Sequence, residues 1–434
     1  MNIAIVGFAT EGRVSAQYWA SLGHTITVCD RNAEIEVPAE YATQLGESYV
    51  QDLDRFDVIV RSAGIHPGLL LADNPTVKPK VTSAINEFLR ACPTKHVIGI
   101  TGTKGKGTTS TLTTKMLEAA GKKVWLGGNI GRSPLEFIDD ITPADWVVLE
   151  LSSFQLIDLH HSPHIATCLM VVPEHLNWHA DMDEYVEAKS HLFECQTSDD
   201  VAIYFCDNAI SCNVSLAGAG KKVPYFKSPG AWVNGNMVTI DGAEVCTTDE
   251  LQLLGKHNWQ NVCAAITTVW QAGLRDIDVM RSVVTTFAGL PHRLEKVRVL
   301  DGVTYYNDSF ASGPDAAIAA IEAIPGNKVL IMGGFDRGLP LGHVPIAYIE
   351  HSDEIRTVLL IGASAERLKS ECEKAGFHNY ELVSDSTIIP IIQKAKHVAQ
   401  TGDSVIFSPG FASFDMFKNF EDRGTQYREA VQNL

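Results

Sequence analysis

A series of short, almost continuously apolar runs, each closing on a glycine or a polar loop, most limits what this chain can become. IAIVG, TITVCD, DVIVRSAG, HVIGITG, WVVLELSS, ATCLMVV, VAIYF, KVLIMGG, TVLLIG and SVIFSPG recur from one end to the other. Runs this short and this rich in Val and Ile, without alternation, read as strands buried on both faces, which means parallel sheets covered by helices. Longer segments of helical spacing lie between them. In TTSTLTTKMLEAAG, for instance, Leu112, Met116 and Leu117 fall near one face. The expected class is α/β with mostly parallel sheets. A chain of 434 residues holds more than one such core. Three blocks are expected: 1–92, closed by the helix-like AINEFLRA; 93–290, opening on a glycine loop; and 291–434, opening near PHRLEKV and holding three late strands. Within the second block, 210–255 is expected to form small antiparallel strands.

The formal net charge of -17 argues against a broad nucleic-acid-binding surface, although a local basic loop can still hold phosphates. Nine cysteines with no CxxC pair fit free thiols in a reducing compartment better than a disulfide framework. The start of the chain lacks a signal-peptide pattern and no run of 18 apolar residues occurs, so a cytoplasmic protein without a membrane span is expected.

The chemistry concentrates in loops that follow the apolar runs. VIGITGTKGKGTTS places glycines, a Gly-Lys pair and hydroxyls after a strand. The strict phosphate-loop pattern fails at both ends: Ile100 stands where its first glycine belongs, and Gly107 follows the lysine in place of Ser or Thr. The physics survives that failure. Gly102, Gly105 and Gly107 let the backbone amides of the loop, Thr103 and Lys104 included, converge on phosphate oxygens. Lys106 can neutralise the β- and γ-phosphates, and Thr108 or Thr109 can offer Mg²⁺ a hydroxyl, displaced by one position. The alternative is a plain glycine turn with a solvated lysine. GFATEG at 7–12 resembles a dinucleotide fingerprint with Ala9 at the middle glycine, and Asp30 closes the next strand. It reads as a diphosphate turn, with Gly7 and Thr10 beside it, or as an ordinary strand–helix turn. Glu150 ends a buried-type strand, where a carboxylate needs a partner: a metal, a cap or a salt bridge. In PEHLNWH, His175 and His179 stand four apart and share one face if the segment is helical. Lys189 follows on a helix-like stretch, where most lysines are solvated. LPHR, YYNDSFASGP, GGFDRG and SPGFASFD follow or flank late strands, as loops of a constructed site do.

Together these motifs resemble the Mur ligase family over essentially the whole chain: GITGTxGK, GGNIG, LELSSFQL, PEHLxWH followed by AK, GKHNxxN, GLPHR, NDS and SPxxASFDxFxxFExRG. The resemblance implies a Rossmann-like UDP-binding domain, a central P-loop ATPase-type domain and a Rossmann-like C-terminal domain. It implies a monomeric ligase that uses ATP and two Mg²⁺ ions to add glutamate, the D form favoured, to UDP-N-acetylmuramoyl-L-alanine through an acyl phosphate. It places Arg31, Asn32, Ser62 and Gly64 near the uridine diphosphate, and Asn129 and His175 near the muramoyl portion or the metals. Glu150, His175 and Lys189 match metal-site residues, Lys189 as a carbamylated lysine, with Thr108 as the displaced hydroxyl. Asn258 and Asn261 match adenine-side asparagines; His292 and Arg293 match a hinge pair, and Asp308 a nucleotide-side aspartate. Ser312, Ser413, Phe414 and Phe420 match the amino-acid pocket. Four residues depart from the family pattern: Gly107 where Ser or Thr is usual, Phe310 and Arg337 where lysines are usual, and Asn177 in place of aspartate. Arg337 keeps the charge as a planar fork. Phe310 and Arg337 leave L-glutamate open. GKGT also admits a folylpolyglutamate-type ligase, and GFATEG a dinucleotide-binding dehydrogenase or regulator.

Overall fold

The computed structural model describes residues 1–253, 255–338 and 340–434. All ten apolar runs are strands. The first sheet holds β1 (Asn2–Val6), β2 (Thr25–Asp30), β3 (Ala42–Leu45), β4 (Val58–Arg61) and β5 (Val81–Ser83), ordered β3-β2-β1-β4-β5 and parallel throughout. The central sheet holds β6 (Val97–Thr101), β7 (Val124–Gly128), β8 (Trp146–Glu150), β9 (Ile165–Cys168), β10 (Val201–Phe205) and β11 (Lys221–Tyr225). Its order is β11-β10-β9-β6-β8-β7, again all parallel. A small antiparallel sheet follows: β12 (Trp232–Asn234), β13 (Met237–Ile240) and β14 (Ala243–Thr247). The last sheet takes β15 (Glu295–Leu300), β16 (Val303–Asn307), β17 (Lys328–Gly333), β18 (Ile355–Ile361), β19 (Tyr380–Leu382) and β20 (Ser404–Phe407) in the order β15-β16-β20-β17-β18-β19. Only β15 in it runs antiparallel.

Two expectations need correction. The third block holds six strands, not three. Of the extra ones, β15 and β19 are edge strands, and β15's sequence EKVRVL mixes charge with apolar residues and so lacks a buried run; β16, VTYYN, is buried but too polar to read as an apolar run. Within 210–255, antiparallel strands occupy only 232–247; β11 is the parallel edge of the central sheet, and Ala209–Ser215 is a helix. Pro224 lies in β11, and an edge strand tolerates its missing donor.

Met1–Leu251 and Lys256–Phe287 pack as one unit, and Gln252–Gly255 with Ala288–Leu434 as a second. In the first unit the helix Ala84–Ala91, capped by Ser83 Oγ accepting from Asn86 N, ties the first sheet to the central one. Its Ala84, Ile85 and Phe88 enter the same apolar core as Leu149, Leu151, Tyr185 and Leu192. Burying a side chain of that size stabilises by about 2–3 kcal/mol. In the central sheet β6 lies between β8 and β9, where the chain switches direction across the sheet. Ligands of open parallel sheets bind outside the carboxyl ends of the strands at that point. No helix among the described residues is long and apolar enough to cross a membrane.

Candidate active site

Strand β6 runs straight into the glycine loop. Gly105 has φ 87° and caps the helix Lys106–Ala119, and a Cβ there would lie 2.1 Å from Asn261 Oδ1. Only glycine permits that close approach by the helix Lys256–Gln271. Asn261 Nδ2 in turn donates to Asn258 Oδ1 at 2.9 Å, so both asparagines stand beside the loop. Lys106 Nζ donates to the carbonyls of Gly102 and Thr103, each at 3.0 Å, which folds its charge over the loop at the positive end of the helix. Thr103 is anchored from β9's side: its N–H donates to Met170 O, and its hydroxyl donates to Val172 O at 3.0 Å and meets the Tyr185 hydroxyl at 2.8 Å. Lys104 pairs with Glu174 at 2.5 Å. Thr108 is half-buried, whereas Thr109 is fully buried, with a hydroxyl that has no partner among the described residues.

Lys189 is not a solvated lysine. It lies on the helix Met182–Glu194, which is capped by Asp181, and is 1% exposed. Its Nζ donates to Gly102 O at 3.2 Å and stands 4.3 Å from the centre of the Tyr185 ring. Burial, and then the nearby charge of Lys106, pull its pKa from 10.5 to about 7. The amine is therefore about nine-tenths neutral at pH 8, against roughly one part in 300 for an unperturbed lysine. Glu150 ends β8 opposite Ile100 of β6, is 5% exposed, and accepts from Asn129 Nδ2 at 2.7 Å. The Asn129 N–H also donates to Glu150 O, so Asn129 belongs to the end of β8.

The histidines correct another expectation. Residues 173–181 form turns rather than a helix, and His175 has φ 59°, so His175 and His179 share no helical face. The left-handed backbone at His175 interrupts any helical run here, and the helix begins only after the Asp181 cap. His175 is exposed beside Glu174 and Phe154. The partial covering of its ring still lowers its pKa, Glu174 opposing and three lysines adding, which favours the neutral imidazole that binds metals. His179 is buried between Ser153 Oγ (2.9 Å) and Glu184 (3.2 Å), a structural position. Among the described residues no three His, Cys, Asp or Glu side chains cluster as a ready metal site.

At the first sheet, Gly7 has φ 88°, and a Cβ on Gly12 would lie 1.9 Å from Gly7 O, so the helix Thr10–Ser21, entered through Ala9, begins tight against β1. Both oxygens of Asp30 accept backbone amides, from Phe8 at 2.6 Å and Asn32 at 2.8 Å. Ser62 Oγ donates to Gly7 O at 2.7 Å. Thr10, Arg31, Asn32 and Gly64 are exposed around this turn.

In the second unit the loops after β16, β17 and β20 converge. Asp308 is buried, accepting from Ser408 Oγ at 2.7 Å and from the Leu294 N–H at 3.0 Å. Arg293 lies 3.7 Å from the centre of the Phe310 ring, which meets Phe420 edge-on at 5.1 Å. Phe310 thus offers the Arg293 guanidinium a π face. Arg337 donates to Ser312 O at 2.5 Å. Ser413 is buried and Phe414 is exposed, facing Phe335. Burial pushes the Asp308 carboxyl from 3.8 up to about 7, against its two hydrogen bonds. The folded protein then binds a proton that the unfolded chain has lost between about pH 4 and 7, so this group's contribution to stability falls as pH rises through that window. Asp308→Asn removes the titration. Its melting temperature is expected to gain on the parent above pH 7, with the gap closing toward pH 4; a gap that does not vary with pH refutes this.

Residues 100–269 match the Mur ligase middle domain. Over 456 aligned residues, covering 100% of this chain and 97% of the relative, the sequence is 37% identical to the UDP-N-acetylmuramoylalanine–D-glutamate ligase of Clostridium novyi. The chain belongs to the Mur ligase family. Solved members share the fold at low identity. The UDP-N-acetylmuramoylalanyl-D-glutamyl-2,6-diaminopimelate–D-alanyl-D-alanyl ligase from Acinetobacter baumannii superposes with a TM-score of 0.62 at 14% identity, covering 99% of this chain and 93% of that one. The MurF ligase of Thermotoga maritima in complex with ADP gives 0.58 at 16% identity, covering 99% and 94%.

For a Mur ligase, the reading of single motifs missed four supporting residues. Tyr185 lines Lys189 and braces Thr103; Glu174 holds Lys104. Arg423 is fully buried and grips Ser309 Oγ, Ser309 O and Phe411 O, tying the loops after β16 and β20. Arg61 closes β4. The last carried a signal: like Glu150, it is a charge at the end of an otherwise apolar strand.

Proposed function

We propose that this chain joins D-glutamate to the alanine carboxylate of UDP-N-acetylmuramoyl-L-alanine with ATP, for peptidoglycan precursor synthesis. The observation that carries this reading is the match to relatives named for that reaction, at 34–37% identity over 100% of this chain and 97% of theirs. The substrate's alanine carboxylate attacks the γ-phosphate, giving an acyl phosphate and ADP. The glutamate amine then displaces phosphate to leave the amide. Lys106 and the amides of residues 102–107 bind and orient the phosphates, and they lie where negative charge grows in the transition state. Asn258 and Asn261 flank that loop on the adenine side.

The residues suit Mg²⁺. Glu150 and the Thr108 hydroxyl are hard oxygen donors, and Lys189 as a neutral buried amine can condense with CO₂ to present carbamate oxygens beside Gly102. With neutral His175 they would hold two ions that neutralise the phosphate charge. Gly7, Ser62, Arg31 and Asn32 are assigned to the UDP side. Arg293 and Asp308 are assigned to the nucleotide, and Ser312, Arg337, Ser413, Phe414 and Phe420 to glutamate. The residue ranges 1–92, 93–290 and 291–434 are taken as the three working domains. Nine free thiols agree with action in the cytoplasm, where ATP and UDP-sugars are found.

Phosphate release is the test. It is expected to require ATP, UDP-N-acetylmuramoyl-L-alanine and D-glutamate together, with L-glutamate a poor substitute. Release indifferent to the UDP-sugar, or a preference for L-glutamate, overturns the reading.

A further inference from the structure

The loop after β4 carries Ser62 and Gly64, and both of its ends are bonded to the central part of the first unit. Arg61 is 0% exposed, and its guanidinium is fully engaged. Nε and Nη2 make a bidentate pair with Asp158, at 2.8 and 2.7 Å, and Nη2 also donates to Phe154 O at 3.0 Å. Nη1 reaches the carbonyls of Ser62 and Ala63 at 3.2 Å and of Ile65 at 2.7 Å. One side chain thus shapes the loop and joins it to the turn that follows Glu150. Asp158 is held from the far side: its carbonyl accepts from Asn86 Nδ2 at 2.7 Å, and Asn86 Oδ1 accepts from His160 N at 2.7 Å. At its other end the loop meets the helix of Lys189. Gly64 O accepts from Trp178 Nε1 at 3.2 Å, and His66 stands edge-on to Trp178 and 3.2 Å from Glu184, a residue of that helix.

A buried ion pair is a poor stabiliser by itself, because desolvation offsets the attraction. The three loop carbonyls are the informative contacts. A planar fork can hold Asp158 in two bonds while the second amino group gathers carbonyls; an ammonium cannot. We propose that Arg61 and Asp158 are positioning residues for the ligase reaction, holding the loop that takes the UDP-sugar in register with Glu150 and Lys189. The alanine carboxylate is then delivered to the phosphate loop only when the UDP portion is seated. This inference rests on the assignment of residues 62–64 to the UDP side in the proposed function.

Arg61→Lys and Asp158→Asn are the variants. In each, the KM for UDP-N-acetylmuramoyl-L-alanine is expected to rise roughly tenfold or more while the KM for ATP stays within about twofold. The rise in melting temperature caused by the UDP-sugar should shrink by about half or more, and the rise caused by ADP should persist. A merely structural pair would lower the melting temperature without ligand and leave both ligand responses intact, which would overturn the proposal. Hydrogen exchange on the parent protein tests the same idea without a variant. The UDP-sugar is expected to slow exchange in residues 62–66 and 154–160 together; protection confined to 62–66 overturns the proposal. If the parent shows no response to the UDP-sugar at all, the functional reading itself fails. If it responds and the variants match it, only the positioning role fails.

Discussion

Lys189→Met is expected to lower kcat about 10³-fold, with the KM for ATP changed less than threefold. Methionine keeps the length and apolar packing of the stem against Tyr185, so the loss reports chemistry at the amine rather than collapse of the core. The magnitude follows from removing a charged group beside the transferring phosphate, where single electrostatic contributors are worth about 10²–10³ in rate or more. The parent should also depend on dissolved CO₂. With a pKa of about 7, the amine is largely neutral above neutrality and open to carbamate formation, and it is an ammonium below it. Activity should therefore fall as pH drops through about 7, and CO₂ should restore part of it. Lys189→Met should show neither response. ¹³CO₂ labelling read by NMR at the carbamate carbon checks the species directly. Full activity in Lys189→Met, or indifference of the parent to CO₂ at pH 8, removes Lys189 from the mechanism.

Thr108→Ala is expected to cut kcat/KM for Mg·ATP about 100-fold, and Thr109→Ala less than about threefold. Gly107 leaves no hydroxyl directly after the lysine, and of the next two residues only Thr108 is half-open. Thr109 is 0% exposed, and its hydroxyl is unpartnered among the described residues. Removing a buried hydroxyl that makes no bond also removes its desolvation cost, so Thr109→Ala should change stability by no more than about 1 kcal/mol in either direction. Titrating Mg²⁺ at saturating ATP separates the two: the apparent Mg²⁺ requirement should rise for Thr108→Ala alone. Equal and mild effects from both would show that the metal hydroxyl lies elsewhere.

The strand positions were legible because a parallel strand covered on both faces must be apolar at nearly every residue, whatever lies far away in the chain. β15 and β19 escaped for the same reason: edge strands carry polar residues and lose the pattern. The glycine loop was legible too, since the φ of 141° at Gly102 and 87° at Gly105 is a local demand that only glycine meets cheaply. The reading of His175 and His179 as one helical face failed because spacing predicts a face only if a helix exists, and there the chain turns instead.

The sequence by itself determined the α/β class, the succession of sheet-forming blocks, the phosphate loop and the residues strung along its neighbouring loops. Each of these is encoded within about ten consecutive residues. Only the tertiary structure decided which of those residues are special chemically. Lys189 became an amine that loses its proton near neutrality because β6's loop and Tyr185 close over it, and Asp308 a protonatable carboxyl because the loop after β20 covers it. Arg61 found its carboxylate partner, Asp158, 97 residues away. Solvation and pairing belong to neighbours that folding brings from distant parts of the chain, and no local pattern records them.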